Sequence, residues 1–541
     1  MYIMNKNKRV KVESLIHLRP LLLGDLPRKQ ADNIPEKLAV VDLSKKREFT
    51  YKEFDDRVDH CAIGLKKLGV KKGDVVCVAS KNSFHLAEIL FAIWRLRAIA
   101  FPMNWRLSKE EMIGVLKRFE PKYVAVQSQF EALREGYKEG IFVHLDGKKK
   151  GFTCYEDLIN IKNFSKERAA LLEEEDVRPT DEYEISTILL TGGTTGLPKG
   201  CALSHRAMLA GTISFATIVN GRDENQKFLI SAPLFHGGGL ILGFLPTFYG
   251  QGTNFLVEEG QTLKALLGYI QDKKITHVFL VPTMLNRLLL DIDLVKQYDI
   301  TTLNTILDAG EPHDPQKRKE SMEVMKANLF NVGGTQTEGG VTGRYINYAD
   351  YSEAKYLECF GDKDPMWCQT DVFGENDEPL RDEEGEFVVR GETLMSFYWG
   401  DEEKTKKKIR KGWVRTEDLG VRFGDGRQEY TGRMSDLIIS GGENIYASEV
   451  EWPLNAHPKV SESAVFGIKD EKWGERVCAA IVLREKGCIS ENELAEYLKT
   501  KIASYKVPKE IIFVEEIPKS GLGKTQRFRI KEEIMKARVS K

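Results

Sequence analysis

Paired cysteines are missing from this chain. The eight that occur (Cys61, Cys77, Cys154, Cys201, Cys359, Cys368, Cys478 and Cys488) are scattered, and no two form a C-x-x-C pair. That excludes a zinc cluster or a disulfide framework and leads us to expect a reducing compartment. An excess of one charge is missing too. Lysine and arginine total 80 against 81 aspartates and glutamates, so the net charge of -1 gives no reason to expect nucleic acid or an anionic membrane as partner. No apolar run is long enough to cross a bilayer: the most apolar stretch, Gly239 to Tyr249, is short and broken by Gly243 and Pro246. No charged segment leading into an apolar core suggests a signal peptide, so no transmembrane segment and a cytoplasmic location are expected. Internal repeats and low-complexity tracts are absent as well.

What is present is an ordinary globular composition, with 42% hydrophobic and 30% charged residues. At ~150 residues per unit the length suggests three or four folding units. The first part alternates helix and strand patterns. Thr50-x-x-Glu53 is a capping box, and Phe54, Val58, Cys61, Leu65 and Leu68 follow at helical spacing until Gly69. Val75–Val78 reads as a strand, Leu86–Arg97 as a helix and Ala98–Phe101 as a strand. A second capping box, Ser108-x-x-Glu111, opens a helix ending before Pro121, and Tyr123–Val126 is the next strand. Such alternation predicts βαβ units and a largely parallel sheet covered on both faces. It resumes with a helix from about His205 and strands at Phe228–Ser231 and His277–Val281; from about Gly385 short strands such as Glu386–Arg390 dominate. A boundary near Gly432 and Arg433 divides residues 1–432 from a small α+β domain over 433–541. Strands at Ser463–Phe466, Val477–Leu483 and Ile511–Val514 and a helix capped by Ser490-x-x-Glu493 are expected there.

One loop is chemically suggestive on its own. Thr191, Gly192, Gly193, Thr194, Thr195 and Gly196 run on to Leu197, Pro198, Lys199 and Gly200. Glycines let backbone N–H groups approach an anion, the hydroxyls add donors and Lys199 adds charge, which is the chemistry of a phosphate loop. It is not of the Walker type, because Cys201–Ser204 after it reads as extended rather than helical.

Further segments follow in a fixed order: Pro233 to Gly237, Ala309 to Pro312, Thr335 to Glu338, Gly385 to Gly391, Gly412 to Asp418, Gly432 to Asp436, Ser440 to Ile445 and Pro518 to Arg527. This ordered set resembles the adenylate-forming enzymes, the acyl-CoA synthetases, nonribosomal adenylation domains and firefly luciferase, from about Thr50 to Arg527. Within them the Gly-Gly-Glu-Asn segment and the Phe101 to Leu107 region are similar to acid–CoA ligases of the fatty-acid and aryl-acid type. The resemblance implies an α/β fold in which a large N-terminal domain of layered sheets, with a small β-barrel-like part, precedes a small mobile α+β C-terminal domain. It implies ATP, Mg²⁺ and coenzyme A as cofactors and a small carboxylic acid as substrate, with a homodimer left open.

Residue roles follow from the same resemblance. The Thr191–Gly200 loop grips the β- and γ-phosphates, Glu338 holds Mg²⁺, and Thr337 lies near the α-phosphate. Gly310, Glu311, Pro312, Gly334 and Thr335 belong to nucleotide-binding segments. Asp418 accepts from the ribose hydroxyls and Arg433 reaches the same sugar. Lys524 stabilises charge on the bridging and carboxylate oxygens, and His236 gates the acyl pocket. In the second half-reaction Gly441 and Gly442 replace Lys524 and line the route of pantetheine, the pivot falling at Ser435.

The chain departs from the family pattern in two places. Gly334 and Thr335 stand where relatives carry an adenine-stacking aromatic and a glycine. Glu417 stands where glycine is usual, and its carboxylate is expected to point to solvent. Three readings follow: an acid–CoA ligase, an adenylation enzyme whose acceptor is a carrier-protein thiol, and a non-catalytic nucleotide-binding protein. An apolar monocarboxylate, fatty or aryl, is the expected acid, because the pocket segments His236–Leu240 and 333–340 are rich in glycine and poor in charge.

Overall fold

The computed structural model describes residues 2–5, 8–11, 21–177, 181–191, 198–218, 224–310, 313–332, 336–339, 344–346, 359–361, 367–519 and 525–539. Two eight-stranded sheets form its body. The first runs in the order Phe397–Tyr398, Lys199–Ser204, Ile185–Thr191, Ile99–Pro102, Val75–Ala79, Tyr123–Val126, Ile141–His144 and Thr153–Cys154. Its strands are parallel from Ile185–Thr191 onward and antiparallel at the other edge. The second centres on the parallel strands Leu38–Asp42, Thr253–Leu256, Lys227–Ile230, His277–Leu280, Thr305–Ala309 and Asn328–Val332.

Both sheets bury apolar side chains against the helices between them. Val76, Val78 and Ala100 of the first sheet share a core with Val40, Phe228 and Ile230 of the second. Helix Phe84–Arg95 lies in that layer and is buried at every position, which is why its sequence shows no polar stripe. Helix Tyr51–Leu68 begins as read: Thr50 Oγ1 accepts from Glu53 N–H, Glu53 returns a carboxylate oxygen to Thr50 N–H, and Gly69 closes the end at φ +104°. The boxes at Ser108 and Ser490 form in the same way. Element ends differ from the sequence reading by one or two residues, except that the C-terminal strands are longer, Val460–Asp470 and Gly474–Leu483. The stretch singled out as most apolar forms helical turns, Gly237–Gly239, a π-helical Leu240–Phe244 and Leu245–Tyr249. These insert Leu240, Phe244, Leu245 and Phe248 into the core. Among the described residues no helix is long and apolar enough to cross a membrane.

The small β part is a six-stranded antiparallel sheet containing Glu384–Gly391, Trp413–Arg422 and Gln428–Arg433. In the last sheet Leu437–Ser440 pairs with Glu443–Tyr446 and with Gly474–Leu483, which pairs in turn with Val460–Asp470 and, in parallel, with Glu510–Phe513. Between the third and last sheets stands only the short 3₁₀ turn Met434–Asp436. Across it Tyr446 packs on Gly432, where a Cβ would come within 2.2 Å of its ring, and its hydroxyl donates to Glu384.

Candidate active site

A cleft of about 1800 Å³ opens where the parallel strands of the second sheet end, the usual ligand position in open α/β sheets. It exceeds the ~300–1,000 Å³ typical of a one-ligand site. Thr191, Lys199, His236, Gly310, Thr337, Glu338, Asp418 and Arg433 all border it, so segments far apart in sequence meet there.

Asp418 and Arg433 are brought together by strand register, since they are direct cross-strand partners. Arg433 Nε donates to Asp418 Oδ1 at 2.8 Å, and Gln336 Nε2 donates to Oδ2 at 2.9 Å and to the Thr416 carbonyl at 2.6 Å. Burial pulls the Arg433 guanidinium down, but the Asp418 carboxylate, with Tyr430 and Asp436 adding to it, holds the group above its ordinary value. Asp418 sits within a strand, 7% exposed, and not in a turn. The bonded guanidinium and amide set the carboxylate's orientation toward whatever enters the cleft.

The phosphate-loop candidate is the connection of an antiparallel hairpin, because Thr191 and Lys199 are cross-strand partners. The extended reading of Cys201–Ser204 holds, as part of strand Lys199–Ser204. At Gly200 a Cβ would come within 2.4 Å of the Phe119 ring, so the strand packs there only with glycine. Lys199 Nζ lies 5.0 Å from the centroid of the Tyr398 ring, and the Tyr398 hydroxyl donates to Glu338 Oε1 at 2.8 Å. Burial, with Glu338 beside it, pushes the Tyr398 phenol far up, so it stays a neutral donor.

His236 caps the short turn after it, its Nδ1 accepting from Gly238 N–H at 3.1 Å. Its neighbours on this wall are Gly237, Gly238, Ile241, Leu242 and Phe279. Gly310 takes φ +108° directly after strand Thr305–Ala309, a conformation that favours glycine. Gly441 and Gly442 do not border the cleft: they form the exposed two-residue turn between Leu437–Ser440 and Glu443–Tyr446, at φ +64° and +86°. Two positive φ values in a two-residue hairpin favour glycine, whatever else the pair does. Gly192, Gly193, Thr194, Thr195, Gly196, Glu311, Pro312, Gly334, Thr335 and Lys524 lie outside the described residues. The segments flanking Lys524 are close to the site, since Lys519 bridges to Thr525, and both border the cleft with Gln526.

Sequence reasoning missed Tyr398 and Lys408. The only signal for Tyr398 is the aromatic run Phe397 to Trp399 before Gly400, and for Lys408 a lysine run that reads as a solvated helix end. Glu417 is 59% exposed at its side chain, as expected, but its Oε1 lies 3.4 Å from Lys408 Nζ. Its backbone is at φ +65°, a conformation that favours glycine.

The chain is similar to CoA ligases over most of its length. The indoleacetate–CoA ligase of Aromatoleum aromaticum is 29% identical, over 90% of this chain and 93% of its own. The 2-succinylbenzoate–CoA ligase of a Geobacillus species is 30% identical, over 92% and 95%. In fold the chain is similar to the amide bond synthetase of Marinactinospora thermotolerans (TM-score 0.81, 24% identity, 95% and 99% covered). It is also similar to the o-succinylbenzoate CoA synthetase of Bacillus subtilis with its acyl-adenylate intermediate (TM-score 0.79, 24% identity, 95% and 99% covered). The C-terminal domain model of AMP-binding enzymes matches residues 449–524. The model of the AMP-binding enzyme itself matches residues 27–399, which take in both large sheets and the Lys199, Glu338 and Tyr398 cluster, and the chain therefore belongs to the AMP-binding enzyme family.

Proposed function

We propose that this chain is an AMP-forming acid–CoA ligase. A carboxylate oxygen of the acid attacks the α-phosphorus of ATP, and pyrophosphate leaves. The thiolate of coenzyme A then attacks the acyl carbon, and AMP leaves with the bonding pair. The observation that carries the reading is the convergence of the bonded Asp418–Arg433 pair with the Lys199, Tyr398 and Glu338 cluster in one cleft. The first supplies paired acceptors and donors for a sugar, the second a cation and a carboxylate for phosphates and their metal.

Two anions must meet in the first step, so positioning and positive charge carry it. Lys199 faces the phosphates, and Tyr398 fixes one oxygen of Glu338. Among the described residues no three metal-ligating side chains cluster. That fits Mg²⁺, which is held by one or two carboxylates plus substrate phosphates rather than by a protein cage. Glu338 would hold it, and the ion would supply neutralising charge on the phosphates. The cap over 433–541 pivots near Ser435 and brings Lys524 to the reacting oxygens in the first step. In the second it presents the Gly441–Gly442 turn toward pantetheine. The apolar wall of Ile241, Leu242 and Phe279 beside His236 favours a fatty or aryl monocarboxylate.

A panel of acids, assayed for pyrophosphate release with and without coenzyme A, tests this. Release with an apolar acid, and thioester with coenzyme A, are expected. Thioester only on a holo-carrier protein would transfer the acceptor role, and silence with every acid would leave a nucleotide-binding protein.

A further inference from the structure

Helix Glu402–Lys408 ends in three successive lysines that behave differently. Lys406 and Lys407 lie on the surface, 75% and 71% exposed, each 2.6 Å from a carboxylate four residues earlier. Lys408 has Lys404 at that spacing and turns inward. Its side chain is 9% exposed, and it borders the cleft. Among the described residues its one ion-pair partner is Glu417, at 3.4 Å, with a side chain 59% exposed.

A long, loose pair with a solvated carboxylate does little to offset taking an ammonium out of water. The neighbourhood shows what else the charge can serve. The buried Cys201 thiol, pushed up mainly by burial, feels Glu338 and also the ammonium groups of Lys408 and Lys199. Cys201 is the cross-strand partner of Tyr398, whose phenol is bonded to Glu338 and lies beneath Lys199. Lys408 and Lys199 therefore reach the same corner of the cleft from different elements. Glu417 stands at its rim, its N–H fixed by Glu386 Oε1 at 2.8 Å.

We infer that Lys408 is a second phosphate-binding cation of the nucleotide site, neutralised by Glu417 until the phosphate chain of a nucleoside triphosphate displaces that carboxylate. The inference rests on the ligase reading above and adds a residue to it. Lys408 then faces charge on the triphosphate and on the departing pyrophosphate from the same corner as Lys199 but from a different element. Glu417 is a counter-ion that leaves and makes no contact the nucleotide needs.

Equilibrium binding of Mg-ATP and of inorganic pyrophosphate to wild type, K408M, K408R and E417Q tests it. K408M keeps the apolar stem and removes the charge. It is expected to weaken both ligands by about tenfold or more, in line with the loss of one charged hydrogen bond. In turnover it should raise KM for ATP and leave KM for the acid unchanged. K408R should recover most of the affinity, and E417Q should bind ATP as tightly as wild type or more tightly. ATP binding by K408M equal to wild type overturns the inference. So does E417Q losing as much affinity as K408M, because the pair is then structural. If K408M does not fold, the E417Q arm decides alone. Wild type that binds no ATP sinks the ligase reading itself, so the two failures are distinguishable.

Discussion

Asp418 has both carboxylate oxygens engaged, one by Arg433 and one by Gln336. Asp418→Asn removes the charge and sets an amide donor against the guanidinium. KM for ATP should rise by tenfold or more, on the order of a lost charged hydrogen bond, and initial rates at varied ATP check this. Tyr398→Phe removes only the hydroxyl on Glu338. Adenylation kcat should drop by about tenfold, and unfolding temperature should hardly move, because the ring still packs. Because burial holds the phenol far above its ordinary value, the wild-type rate should show no loss from Tyr398 ionisation at alkaline pH. Lys199, Glu338, Asp418 and Arg433 were legible because each lies inside a short ordered motif. Tyr398 and Lys408 were not. Their meaning depends on a partner 60 residues away in one case, and in the other on which side of a helix end faces the cleft.

Among the elements, the turn at Gly441 and Gly442 separates two explanations of paired glycines. Both residues hold positive φ, and a Cβ on Gly442 meets nothing within 4 Å. Gly442→Ala should cost about 1 kcal/mol of C-terminal domain stability through backbone strain alone, and Gly442→Asn less, since asparagine tolerates this conformation. If the turn also lines the pantetheine route, Gly442→Asn should slow thioester formation from preformed acyl-adenylate while leaving pyrophosphate release intact; rapid-quench kinetics of each half-reaction read this out. The capping boxes, Gly69 and the alternating strands were legible because local chemistry sets them. The π-helical Leu240–Phe244 was not, because an apolar stretch interrupted by Gly243 and Pro246 carries no clear period, and only burial between the sheets makes it helical.

At the scale of the whole molecule, folding locks neutral histidines and paired charges into the body. Burial pulls His205 down to about 3 and His85 to about 4. The unfolded chain takes up these protons below its ordinary value near 6.5 and the folded chain does not. Stability is therefore complete above that pH and declines as pH falls toward 4 and then 3, by about 1.4 kcal/mol per pH unit per histidine. Asp59 adds an acid-side loss at lower pH. Burial alone would raise it, but Arg95, Arg28 and Arg168 outweigh burial and hold it below its ordinary value. Chemical denaturation from pH 8 to pH 4 checks the slope, and a flat profile would contradict it. The division near Gly432 and Arg433 is a proposal read from the order of motifs along the chain. The packing of the Tyr446 ring on the Gly432 backbone could not be read from sequence, since it joins two separate sheets.

The most direct test compares wild type with Lys524→Ala in two assays: acid-dependent exchange of pyrophosphate into ATP, and conversion of synthetic acyl-adenylate plus coenzyme A into thioester. The account predicts exchange in wild type, its loss by orders of magnitude in the variant, and thioester formation by both. Exchange that survives the substitution, or that wild type never shows with any acid, would contradict it.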